Sequence, residues 1–319
     1  MPGTALLDRA RLLTAPEVTP AVRHGLAAAT GRPWRAYPAD GEPVVAAGDP
    51  VVWVGASRPA GPPADRLLWF HSVNAGTDAL LAPGPWPDGV LLTRTVGRMG
   101  ERIAQYVLAW VLAECQSVPE FAARHGREEW RREPSELATG QTVLIHGTGR
   151  IGSAVAVLLR ACGLRTVGVA RTVPGVPPPG FERVVTAGGD AERQALGEAR
   201  WVVAALPLTA ATGNFFAAER FGHLRGASFV NVGRGATVDL AALEAALRAG
   251  SVRRAVLDVL PSEPAVPGDP CWRLPRTVVT AHSAGITADE DVVADFAACW
   301  ARLRAGRRPE LAVDVDRGY

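Results

Sequence analysis

The 319-residue sequence contains no lysine; all 34 of its basic residues are arginine. Without a lysine amine, no Schiff base can form on the chain, no ammonium can reach the phosphates of a nucleotide loop, and no lysine can serve as general base. Pyridoxal enzymes, Walker-type nucleotidases and protein kinases are therefore excluded together. A GC-rich genome accounts for the missing lysine, in keeping with 34 glycines and 26 prolines, and leaves the exclusion intact.

Cysteine is scarce as well. Cys115, Cys162, Cys271 and Cys299 are widely spaced, form no CxxC pair and have no histidine at zinc-ligand spacing, so no structural metal is expected. Four unpaired thiols suit a reducing cytoplasm. No apolar run approaches the roughly 18 residues of a membrane span, and the opening MPGTALLDRA lacks an apolar signal core, so neither insertion nor secretion is expected. The net charge of +2 is small, and like charges do not run in blocks: Arg131 and Arg132 are followed at once by Glu133. No nucleic-acid or membrane partner is indicated.

What is present is the composition of a soluble globular protein, 48% hydrophobic and 21% charged, long enough for two domains. The first ninety or so residues carry short β-like runs at Val51 to Val54 and Leu67 to Val73, separated by turn chemistry such as Arg58 to Pro63, and read as a small α/β domain. From Met99 to His125 the sequence predicts one long helical segment, with Ile103, Val107, Trp110 and Val111 at helical spacing. From Gln141 onward, runs that are apolar throughout alternate with helical stretches. The predicted strands are Thr142 to Ile145, Thr166 to Val169, Trp201 to Ala205, Ser228 to Val232, Ala255 to Val259 and Val278 to Ala281. The helices between them include Ile151 to Cys162 and Leu240 to Ala249. Strands apolar on both faces imply a parallel sheet covered on both sides. An amphipathic helix, Asp289 to Leu303, precedes the tail.

Gly147, Gly149 and Gly152 form GxGxxG at the end of the first of these strands, with Arg150 and Ile151 between the second and third glycines. The first glycine permits a tight turn, the second lets backbone approach a pyrophosphate, and the third lets helix and strand pack closely. The spacing alone is weak evidence in a chain with 34 glycines; its place between strand and helix is what points to a dinucleotide site.

Four further segments follow in order: ALPLTAATG from Ala205, FVNVGRGATVDLAALEAAL from Phe229, AVLDVLPSEP from Ala255 and VVTAHSAG from Val278. With ELATGQTVLIHGTGRIG they resemble the D-isomer-specific 2-hydroxyacid dehydrogenases, closest in pattern to the NADPH-using glyoxylate/hydroxypyruvate reductases. The resemblance is close over residues 100 to 300 and looser at the Asn74 to Asp78 loop and the closing VDVDRGY. It implies a Rossmann-type doubly wound parallel sheet inserted into a smaller, flavodoxin-like α/β substrate domain. The nucleotide-binding part would be residues 96–286, the substrate domain residues 1–95 and 287–319, and the active site the cleft between them. Family members are typically homodimers.

The resemblance also assigns roles. Arg234, in the GRG position, would hold the carboxylate of a 2-keto acid in a planar fork and polarise its carbonyl. His282 would donate a proton to the carbonyl oxygen during reduction and accept it during oxidation. Glu263 would orient the His282 ring and favour its charged form. Leu206, Pro207, Val232, Ala284 and Gly285 would line the cofactor, with Asp258 beside the nicotinamide. Asn74, Ala75 and Gly76 match the loop whose amides bind the substrate carboxylate. Each residue alone has an ordinary alternative, a surface arginine, a solvated glutamate or a core histidine; in this order and spacing they form a set. The chain departs from the family at Ala281 (usually proline), at Leu260 (usually phenylalanine) and at His146, where an apolar residue ends the first strand.

The strand expected at Thr166 to Val169 runs on into Ala170, Arg171 and Thr172, with no carboxylate to hydrogen-bond a ribose. Arg171 and Thr172 instead offer a guanidinium and a hydroxyl to a 2′-phosphate. NADP(H) is the expected cofactor, with NAD(H) possible. The competing function within the fold is a cofactor-sensing, protein-binding module with little turnover.

Overall fold

The computed structural model describes residues 3–37, 48–61 and 63–316. Pro62 of the expected Arg58 to Pro63 turn and the last three residues of VDVDRGY lie outside the described residues. The chain divides into two compact units: residues up to Met99 with those from Thr287 onward, and Gly100–Ile286.

The first unit is built on five parallel strands, β1 (Arg11–Thr14), β2 (Arg35–Ala36), β3 (Val51–Gly55), β4 (Leu67–Ser72) and β5 (Leu91–Arg94). Their order is β2-β1-β3-β4-β5, the flavodoxin-like arrangement. Every residue of β3 is buried, as expected for a central strand covered on both faces. Local chemistry sets the helix Pro20–Thr30. Thr19 caps its first turn by accepting from the Val22 amide, Pro20 stands at its start, and Gly31 ends it at φ 67, a left-handed conformation that glycine takes without strain. The helix Asp289–Arg304 belongs to this unit. Its Phe296 ring stacks on Trp69 at 4.6 Å, and Val293 lies where a side chain at Gly25 would have to go. The chain then returns beside β5, where Leu92 O accepts from Val313 N at 2.9 Å.

The second unit holds seven parallel strands: β6 (Thr142–His146), β7 (Arg165–Ala170), β8 (Arg183–Thr186), β9 (Trp201–Ala204), β10 (Ala227–Asn231), β11 (Val252–Leu257) and β12 (Thr277–Val279). Their order is β12-β11-β10-β9-β6-β7-β8. The chain winds outward one way from β6 and the other way from β9. The adjacent pair β6 and β9 is thus the topological switch point, where doubly wound sheets open a crevice for ligands beyond the strand ends. The strand β8 is absent from the sequence reading. The expected strands ending at Val259 and Ala281 stop earlier, at Leu257 and Val279, because the chain turns there to form the loops described below.

The expected single helix from Met99 to His125 is two helices, Met99–Cys115 and Val118–His125. Ser117 breaks the run at φ 53, and Pro119 sits in the first turn of the second helix. Proline has no amide to continue a helix and its ring clashes with the preceding turn, so it is accommodated only at a helix start. Ile103, Val107 and Val111 are buried as their spacing predicts. Among the described residues, no helix is long and apolar enough to cross a membrane.

Candidate active site

The glycine loop leaves the C-terminal end of β6. Gly147 has φ 99, and a Cβ there would meet the Ala205 carbonyl oxygen at 2.6 Å; a Cβ on Gly152 would strike the Gly147 carbonyl. Both positions thus require glycine for close packing, whereas around Gly149 there is open space. The helix Arg150–Ala161 starts here with Gly149 as its N-cap and no side-chain cap. Its first-turn amides face outward at the positive end of the helix dipole, an arrangement that suits a pyrophosphate. The residues present therefore fit a dinucleotide.

Around this loop stand the loops that follow the other strands. Ala205 N bonds to His146 O at 2.9 Å, Val232 N to Ala204 O at 3.0 Å, Asp258 N to Asn231 O at 3.1 Å and Thr280 N to Leu257 O at 3.1 Å. Each bond extends the parallel ladder one residue past the strand. Leu206 and Pro207, Val232, Asp258, and Ala284 and Gly285 accordingly all lie in loops at one end of the sheet. Arg171 and Thr172 are exposed just past the end of β7.

The GRG turn is fixed by its glycines. A Cβ on Gly233 would meet the Leu206 carbonyl oxygen at 2.5 Å, and one on Gly235 would run into the Leu260 backbone. Arg234 between them is extended, φ −137 and ψ 138. Its carbonyl accepts from Asn231 Nδ2 at 3.1 Å and Thr237 Oγ1 at 2.6 Å. The turn thus abuts Leu260, whose amide donates to Glu263 Oε1 at 2.8 Å. The other oxygen, Glu263 Oε2, lies 2.8 Å from His282 Nδ1. A carboxylate can only accept, so Nδ1 carries the proton of this bond and Nε2 is the ring nitrogen left for chemistry.

His282 sits in an unusual turn. Ala281 and His282 have φ 54 and 56, the left-handed region that costs a non-glycine residue about 1 kcal/mol or more. A proline, held near φ −65, cannot adopt the Ala281 conformation, so the departure from the family pattern at this position accompanies this backbone. The turn is held by Asp258, which is 3% exposed. Its carboxylate accepts from Thr280 Oγ1 at 2.7 Å, Ser283 N at 2.7 Å and Ala284 N at 3.0 Å, and its carbonyl accepts from His282 N at 2.6 Å. Asp258, expected beside the nicotinamide, directs these hydrogen bonds to the His282 turn.

His146, a further departure, is buried and paired. Its Nε2 lies 2.9 Å from Glu192 Oε1, which also receives Arg220 Nε at 3.1 Å; the Gly188 amide donates to Glu192 Oε2. Burial alone would raise the Glu192 carboxyl, but the bonds from His146, Gly188 and Arg220 outweigh it and bring it down to about 2. Burial lowers the His146 imidazole below its ordinary range, and its buried Nδ1 has no hydrogen-bond partner. A neutral ring leaves only a lone pair unsatisfied there, whereas a charged ring would strand an N–H. No signal in the sequence names Glu192 as the partner, 46 residues away.

In the first unit, the Asn74 to Gly76 loop follows β4. Asn74 N donates to Ser72 Oγ at 3.1 Å and Arg94 Nη1 to Ala75 O at 3.2 Å. His71, on β4, is wholly buried between Thr93 Oγ1 at 2.7 Å and Thr95 Oγ1 at 3.1 Å. Burial drives its imidazole down to about 3. Among the described residues, no group of three or more His, Cys, Asp or Glu is placed to hold a metal.

The family described as D-isomer specific 2-hydroxyacid dehydrogenase, NAD binding domain, matches residues 108–284, and the chain belongs to this family. It is 60% identical over 275 residues, 85% of this chain and 96% of the other, to a Streptomyces coelicolor protein described only as an uncharacterized protein in the mprR 3′ region. It is 32% identical over 262 residues, 80% of this chain and 82% of the other, to glyoxylate/hydroxypyruvate reductase A of Serratia proteamaculans. A D-isomer specific 2-hydroxyacid dehydrogenase from Xanthobacter autotrophicus Py2, solved with NADPH and MES, superposes with a TM-score of 0.85 at 31% identity, covering 97% of this chain and 100% of the other.

Proposed function

We propose that the protein is an NADPH-preferring oxidoreductase that reduces a small 2-keto acid of the glyoxylate or hydroxypyruvate type to its D-2-hydroxy acid. The observation that carries this reading is the His282–Glu263 pair, 2.8 Å apart, in the same unit as the uncapped glycine loop and linked through Leu260 to the GRG turn. Bound NADPH supplies the hydride. Arg234 holds the substrate carboxylate in a bidentate fork and withdraws charge from the adjacent carbonyl. His282 Nε2 gives its proton to the carbonyl oxygen, and Glu263 steadies the imidazolium before transfer and the ring's orientation after it. Carbonyl, hydride and proton together yield the hydroxy acid; oxidation reverses each step. Ala75 and Gly76 contribute backbone amides to the carboxylate, whereas the Asn74 amide already donates to Ser72 Oγ.

Arg171 and Thr172, exposed just past a strand end that carries no carboxylate to select NAD, support NADP(H), as does the neighbour solved with NADPH. A homodimer is part of this reading. Leu112, Val118, Phe121, Trp130 and Leu137, near one another in sequence, are exposed apolar side chains, Trp130 fully so, and are the residues this reading would cover at the dimer interface. The four free cysteines fit a cytoplasmic enzyme. The test is a reduction screen with NADPH and NADH against glyoxylate, hydroxypyruvate, pyruvate, phenylpyruvate and branched 2-keto acids. Fastest turnover of the first two with NADPH is expected; tight cofactor binding without turnover of any would overturn the reading.

A further inference from the structure

The helix Met99–Cys115 carries Tyr106, whose hydroxyl lies 2.6 Å from Thr280 Oγ1. Thr280 in turn reaches Asp258 Oδ1 at 2.7 Å. The direction of this chain is fixed by counting protons. Asp258 is an acceptor, so the single hydroxyl proton of Thr280 goes to it, and Tyr106 must donate to Thr280. Burial, reinforced by the charge of Asp258, pushes the Tyr106 phenol up to about 12, so it keeps the proton it donates. Asp258 spends its remaining acceptor capacity on Ser283 N and Ala284 N, the residues that follow His282. The two left-handed residues, Ala281 and His282, lie between Thr280 and these two amides. A turn in that conformation relaxes unless its surroundings hold it.

We infer that Tyr106 and Thr280 are positioning residues for His282: they fix the carboxylate that clasps its turn and so set the direction in which Nε2 points. This rests on the reading of His282 as the acid–base residue. Neither residue touches the reacting atoms, and neither stands out in the sequence, where a tyrosine at helical spacing reads as core.

Proton transfer is sensitive to misplacement on the scale of an ångström. Thr280→Val keeps the shape of the side chain and removes the bond to Asp258; it should lower kcat about tenfold or more, leaving NADPH binding and the KM for keto acid near wild type. Thr280→Ser should restore kcat to within a few-fold, and Tyr106→Phe should lower it by a smaller, few-fold factor. The decisive measurement is a cycle with His282→Ala. If Thr280 acts through His282, Thr280→Val costs nothing further in the His282→Ala background; a multiplicative loss there, or wild-type kcat in Thr280→Val, overturns the inference. Full activity in His282→Ala alone would instead remove the functional reading itself. Should Thr280→Val fail to fold, judged by melting and NADPH titration, Tyr106→Phe carries the same cycle, because it removes one oxygen and leaves the ring in place.

Discussion

Glu263 and His282 are joined by a single bond, Oε2 to Nδ1 at 2.8 Å, while the second carboxylate oxygen of Glu263 is held by the Leu260 amide at 2.8 Å. The carboxylate is therefore anchored independently of the histidine it serves. Its position does not depend on the protonation state of the ring, as the acid–base role proposed for His282 requires.

Removing the acid–base group should be costly for turnover alone. His282→Ala is expected to lower kcat by about 10² to 10⁴ with NADPH affinity nearly unchanged. Glu263→Gln should lower it less, because an amide oxygen still accepts from Nδ1 but no longer balances an imidazolium. Steady-state reduction of glyoxylate together with NADPH titration separates the two effects.

Arg234→Lys keeps the charge and loses the fork. Its kcat/KM for the keto acid should fall by about tenfold or more, since a point charge cannot make both parallel bonds to a carboxylate. An unchanged kcat/KM would place Arg234 away from the substrate.

Arg171→Ala should raise the KM for NADPH selectively. Loss of one charge-assisted contact of about 1.5 to 3 kcal/mol corresponds to roughly a 10- to 150-fold change, with NADH scarcely affected. Equal effects on both cofactors would show that Arg171 does not read the 2′-phosphate.

The glycine loop and the GRG turn were legible because their chemistry is local: a handful of neighbouring residues dictates a backbone path. The seven-stranded sheet was legible from its apolar runs except at β8. There only Val184 and Val185 are buried while Arg183 and Thr186 are exposed, too short a pattern at the edge of the sheet to rise above a loop. Pro119 was a visible signal for the helix break that the periodicity of Ile103, Val107 and Val111 concealed. The partners of His146 and Asp258 were not visible at all. A hydrogen bond between residues dozens of positions apart leaves no period in the sequence, only a polar residue in an apolar run.

His71 should make the protein acid-sensitive. The unfolded chain takes up a proton below about pH 6.5, whereas the folded ring, held near 3 by burial, refuses it. Its contribution to stability is therefore complete above about pH 6.5 and is lost as pH falls toward 3, at about 1.4 kcal/mol per pH unit. Urea unfolding of wild type and His71→Gln between pH 6 and 4.5 should show a shallower slope in the variant. Parallel slopes would mean that the folded ring is protonated.

Glu192 closes a buried network, so its loss should be felt in stability. Glu192→Leu leaves Arg220 without its carboxylate and His146 without any partner, a cost of about 3 kcal/mol. Adding His146→Leu should recover part of this, because a second apolar side chain removes the stranded ring. Denaturant midpoints of the two variants decide the matter; a double variant less stable than the single one would contradict the pairing.

The free thiols differ sharply in access. Burial raises the thiols of Cys115 and Cys271, and that of Cys299 to about 12, whereas Cys162 is exposed at the C-terminal cap of the helix that begins at the glycine loop. A maleimide dye would consequently attach at one place on the native protein without any engineering. That place lies a helix length from the amides of the glycine loop, far enough to spare them. Lacking lysine as well, the chain gives amine reagents no side-chain target, so a single fluorophore can follow dinucleotide binding on the unaltered sequence.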